Sequence, residues 1–241
     1  MTSPALLPRL LTTLALALLM AQPGWAQPGG PADADKKDYS PAEKILFMSK
    51  QLTGIKPPLT LNYSFKRSGT LEAGFDDKVH IALSRHADGN CCAAQGEFLS
   101  GDRRMILPDV PMAEGNPVTL YFLEREIREM NRLTKGSQSH FRKRIRMAVY
   151  QGATLREVSV LYKGRAVKGT EIEISPYADD PNRPRYEKLA RKQFRFTLSP
   201  AVPGGVYGIR TLVIDADPAA PLLSEEMLIE GAEPGHRKTG S

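Results

Sequence analysis

His86 stands five residues before an adjacent pair of thiols, Cys91 and Cys92. An imidazole near two sulfurs can hold a soft metal ion or draw the proton from a thiol to make a nucleophile. The spacing matches no established zinc pattern. The plainer alternative is a turn at Asp88-Gly89-Asn90 that brings two small residues back into a sheet. The two sulfurs can join each other only by closing a strained eight-membered ring; pairing with another chain, or two buried thiols, stay open as alternatives. No other cysteine occurs in the 241 residues, so no disulfide framework staples the chain.

Other chemical signatures are missing: no nucleophile elbow, phosphate-binding glycine loop, HExxH, CxxC or CxxCH occurs. His80 falls on the face opposite Val79 and Ile81 and is expected in solvent. His140 opens an expected helix, and His236 is near the C-terminus. Asp76-Asp77 and Asp179-Asp180 sit where turns want acidic residues and read as solvated. No catalytic residue and no cofactor is assigned, and an enzyme is the less favoured class.

Charge is more informative. Between residues 124 and 146 there are eight basic residues, Arg125, Arg128, Arg132, Lys135, Arg142, Lys143, Arg144 and Arg146, against three glutamates. The pairs Glu124–Arg128 and Arg125–Glu129 have the spacing that stabilises a helix. The stretch from Phe141 to Arg146 has four cations without an acid at that spacing. Such a basic patch fits an anionic membrane surface, an acidic protein partner or an ordinary solvated face. Nucleic acid is not expected as a partner, because the chain carries an export signal.

That signal is an apolar run, Leu10 to Met20, behind the single charge of Arg9, followed by Gly24-Trp25-Ala26. It reads as a secretory signal peptide over 1–26, cut after Ala26, and as a periplasmic address. No cysteine follows the run to carry a lipid anchor. Residues 27–38, rich in Pro, Gly and charge, read as a flexible leader. Residues 39–231 read as one domain and 232–241 as a disordered tail. A hydrophobic fraction of 41% with 25% charged residues is that of a globular protein, which excludes extensive disorder and a multi-span membrane protein.

The elements follow from period and punctuation. Ser40-Pro41-Ala42-Glu43 is a capping box ahead of a helix that Gly54 ends. Period two then takes over at Leu59, Leu61, Tyr63 and Phe65, at Thr70 to Phe75, at Val79, Ile81 and Leu83, and in the runs Ala93 to Leu99 and Arg103 to Leu107. Asn116-Pro117 opens a helix closed by Gly136, and Ser139 to Gly152 reads as a second helix, although Phe141, Ile145, Met147 and Val149 also alternate. Strands resume at Val158, Val160 and Tyr162, turn at Lys163-Gly164-Arg165, and continue through Ile172 and Ile174, Phe194 to Leu198, Tyr207 to Val213 and Met227 to Ile229. The expected class is α+β: a curved antiparallel sheet, half-barrel-like, with an N-terminal helix and a mid-chain helical insertion.

This order of elements resembles the periplasmic lipoprotein carriers of the LolA/LolB type, through the helix from Pro41, the strands from Leu59, the helical insertion from Pro117 and the strands from Val158. The resemblance implies a half-barrel closed by helices over an apolar cavity, with lipid or lipoprotein as ligand. It transfers no binding residue. From the alternation, the inward residues include Leu61, Tyr63, Phe65, Ile81, Val160, Phe194 and Phe196, which line such a cavity or fill a solid core. A structure with no cavity of roughly 300 Å³ or more beneath the helices would count heavily against a ligand carrier. Thiol or metal chemistry at His86, Cys91 and Cys92 is the remaining alternative.

Overall fold

The computed structural model describes residues 38–86, 88–89, 91–214 and 220–234. The expected signal peptide, the leader up to residue 37 and the tail from residue 235 lie outside them. Among the described residues there are eight strands: β1 (Leu59–Ser68), β2 (Phe75–Arg85), β3 (Cys91–Phe98), β4 (Thr154–Tyr162), β5 (Arg165–Ile174), β6 (Gln193–Leu198), β7 (Val206–Val213) and β8 (Leu223–Ile229). They form one open, curved antiparallel sheet in the order β3-β2-β1-β8-β7-β6-β5-β4. The last strand in sequence thus lies between β1 and β7 and joins the first three strands to the later four.

Two runs that alternate in sequence are not strands. Residues 70–74 form bends and irregular backbone, and in the run from Arg103 to Leu107 only Arg103 belongs to a helical turn, Gly101–Arg103, and Met105 makes an isolated bridge to Phe98. Together with a second bridge, Val110 to Ala94, the segment from Met105 to Val110 lies along the edge of β3.

The expected N-terminal helix is shorter than its sequence pattern. Ser40 and Glu43 form the reciprocal capping box around α1 (Pro41–Glu43), which widens into a π-helical turn at Lys44–Met48 and stops. The mid-chain insertion is a helical pair, α2 (Val118–Thr134) and α3 (Gln138–Gln151). Asn116 starts α2 by accepting the Val118 amide on its side chain, and the left-handed residue that ends it is Lys135, one position before the expected glycine. In α3, Phe141, Ile145 and Val149 are buried while Met147 is exposed, a four-residue rhythm that settles the ambiguity in favour of helix.

Candidate functional site

The inner side of the sheet carries two neighbouring rungs of different chemistry. One is apolar across six strands: Phe65, Met227, Ile209, Phe196, Ile172 and Leu155 stand opposite one another in turn. The next begins with charge and ends with grease, reading Arg67, Glu225, Thr211, Phe194 and Ile174. The charged half of this rung is covered by α2, which turns Arg125, Glu126 and Glu129 toward it.

The result is a closed ionic seam. Arg67 Nη1 lies 2.5 Å from Glu129 Oε1, and Arg125 Nη1 lies 2.5 Å from Glu126 Oε1 and 2.7 Å from Glu225 Oε1. Lys192, just before β6, donates to Glu126 and sits 3.5 Å from Glu225 Oε2, which also accepts from Thr211 at 3.1 Å. The side chains of Lys192, Glu126 and Glu225 have no exposure at all. At the rim, Glu72 bridges Arg67 (2.7 Å) and Arg132 (2.6 Å), and Arg132 returns to Glu129. Four cations therefore meet four carboxylates. The Arg125 guanidinium also rests 4.9 Å above the Phe65 ring, where the charged and apolar rungs meet.

Proton affinities in the seam diverge. Burial, reinforced by the neighbouring Glu225, pushes the Glu126 carboxyl up to about 7 against the pull of Lys192 and Arg125. Burial acts on Glu225 and Glu129 in the same sense, but it is outweighed. Lys192 and Arg125 hold Glu225 well below the usual carboxylate range, and Arg132, Arg125 and Arg67 do the same for Glu129.

A second polar knot lies at the start of α3. Asp180, expected as a solvated turn residue, is buried instead. It accepts from the Tyr186 hydroxyl and the Asn182 amide, lies 2.6 Å from His140 Nε2 and 3.6 Å from Arg144 Nε. His140, at a helix start that disfavours a cation, is thus supplied with a carboxylate from another part of the chain. The Tyr177 hydroxyl is buried without a hydrogen-bond partner among the described residues, and its proton is held tightly, by burial first and then by the charge of Glu126.

Of the expected lining residues, Leu61, Tyr63, Phe65, Ile81, Phe194 and Phe196 are each at most 2% exposed. They pack into the buried interior: Phe65 touches Phe98 and Phe122 at ring separations of 6.2 and 6.4 Å, and the Tyr63 hydroxyl accepts from Asn116 at 2.8 Å. Val160 departs from the set. It pairs with Val167, which puts it on the face of Glu171 and opposite that of Ile172, where it is partly buried against the same hydrophobic cluster. Two grooves, of about 290 and 370 Å³, lie away from this interior, on the outer side of β2 and β3 around His80 and Glu97.

The basic segment does not form one patch. Arg125 is in the seam, Arg132 at its rim, Arg128 and Arg142 both bind Glu124, and Arg144 binds Asp179. Lys135, Lys143 and Arg146 make no ion pair among the described residues. Cys91 and Cys92 are joined to each other, the ring-closing alternative, at the start of the edge strand. His86 pairs with Asp88 at 3.0 Å, and no group of His, Cys, Asp and Glu fit for a metal is present among the described residues.

Arg67, Lys192 and Glu225 were missed as site residues. Strand phase could have found two of them: Arg67 continues the series Leu61, Tyr63, Phe65, and Glu225 lies two positions before Met227. Nothing local marks Lys192.

No protein-family model and no curated protein matches the chain. Among solved structures, the lipoprotein LppX of Mycobacterium tuberculosis is similar over 73% of this chain and 88% of that one, at 9% identity and a TM-score of 0.32. A likeness this distant carries no argument about function.

Proposed function

We propose that the protein is an exported, non-catalytic carrier that takes the hydrocarbon part of a lipid or lipoprotein between its sheet and its α2–α3 pair. The observation behind this reading is the ionic seam laid beside a continuous apolar rung. The expected lining residues pack against one another beneath the helices, so a ligand enters only when the helices leave the sheet. Two greasy surfaces resist such parting, because each Å² re-exposed costs about 25 cal/mol. A seam of charges behaves differently. Burying ions forfeits several kcal/mol of hydration each, and parting them restores it, so the closed and open forms come closer in energy than apolar contact alone would allow. The seam is then a latch for α2, and Phe65, Met227, Ile209 and Phe196 are the floor exposed behind it.

Native mass spectrometry of protein purified from its own periplasm tests this directly, with displacement of a fluorescent fatty acid as the in vitro measurement. A one-to-one lipid adduct and saturable displacement are expected, together with amide exchange in α2 that is faster than in β1 and β8. A chain with no adduct, no saturable binding and α2 protected as strongly as the central strands is a solid-core protein, and the carrier reading is then lost.

A further inference from the structure

The outward side of the α2–α3 pair is not a neutral polar face. Opposite the buried stripe of α3, Lys143, Arg146, Met147 and Tyr150 recur at three- and four-residue spacing. Met147 is 37% and Tyr150 45% exposed. On α2, Leu120 is 57% exposed one turn before Glu124, the residue that binds Arg142 of α3. Lys143 and Arg146 are free of acidic partners among the described residues, whereas their neighbours Arg142 and Arg144 are neutralised. The fold thus consumes the cations nearest its own carboxylates and leaves two on a strip with exposed apolar side chains.

We propose that this strip docks on an anionic lipid surface. Leu120, Met147 and Tyr150 would enter the headgroup layer, a depth suited to a phenol with one greasy and one wet end, while Lys143 and Arg146 meet phosphates. Charge decides the choice of occupant: Lys143 and Arg146 lie beside Met147 and Tyr150 on one face of α3, an arrangement that meets a laterally mobile anionic surface without the wide shape match a protein partner requires. The proposal is independent of the carrier reading, since docking needs no bound ligand.

Co-sedimentation of the purified protein with phosphatidylcholine vesicles, with and without phosphatidylglycerol, tests it. Binding is expected only to the anionic vesicles and is expected to be lost at high salt. Removing each cation should weaken it about fivefold, so Lys143→Ser with Arg146→Ser should bind about twenty-five-fold more weakly. Met147→Ser with Tyr150→Ser should also weaken it. The charge-matched control, Arg165→Ser with Lys168→Ser in the β4–β5 hairpin, should bind like the parent. Absence of binding to anionic vesicles, an α3 double variant that binds like the parent, or a control that loses as much as the α3 variant each overturns the proposal. All these positions are on the surface, and an unchanged melting midpoint verifies folding.

Discussion

Arg67 and Glu225 stand opposite each other on β1 and β8, on the inner side of the sheet, with 3.8 Å between Arg67 Nη1 and Glu225 Oε1. Neighbouring strands that bury an arginine against a glutamate need further charges to complete them. Arg125, Glu126 and Glu129 of α2 and Lys192 supply these, which fixes where α2 lies along the sheet.

Lys192→Met should destabilise the fold by about 3–5 kcal/mol, because it leaves Glu126 and Glu225 buried together with one cation fewer. Adding Glu126→Gln should restore more than half of that loss. Urea denaturation of the two variants measures both figures. A single-variant cost under about 1 kcal/mol would show that Lys192 does not neutralise the pair.

Stability should have a marked pH dependence of two signs. Glu126 is raised from 4.5 to about 7, so between these values the folded chain holds a proton that the unfolded chain has released, and stability falls as pH rises through the window. Glu225 and Glu129 are held low; they contribute stability above 4.5 that is lost on acidification. The maximum is expected near about pH 5. Glu126→Gln should flatten the limb between pH 5 and 7 and leave the acid limb in place. Urea midpoints across this range check it, and an unaltered upper limb would remove Glu126 as its source.

Gly96→Val should cost about 1–3 kcal/mol by overpacking. A Cβ at this position would lie 2.4 Å from the Tyr121 ring, whose hydroxyl is anchored to the Pro108 carbonyl at 2.8 Å. The ring therefore has nowhere to retreat without losing that bond. Thermal unfolding and the near-ultraviolet signal of the tyrosines should both report the change.

Reduction of the Cys91–Cys92 bond should leave the melting midpoint within about 2 °C, because a cross-link between adjacent residues closes almost no loop and restrains the unfolded chain very little. A melt with and without a phosphine reductant decides this. A drop of many degrees would mean that the bond carries tertiary structure.

The alternating residues Leu61, Tyr63, Phe65, Ile81, Phe194 and Phe196 announced a one-sided antiparallel sheet, and the capping and closing residues around Val118–Thr134 announced its helical insertion. These are local properties: side-chain period and backbone punctuation act within a few residues of one another. What local patterning could not supply was pairing between distant segments. Asp180 looked like a turn residue until the fold brought His140, Arg144 and Tyr186 around it, and Arg125 looked like surface charge until β8 delivered Glu225 beneath it. A charge costs little in water and much in the interior, so its role depends on the partner that arrives. Only the tertiary structure, by placing β8 between β1 and β7 under α2, decided which charges would be buried together and which would be left on the surface.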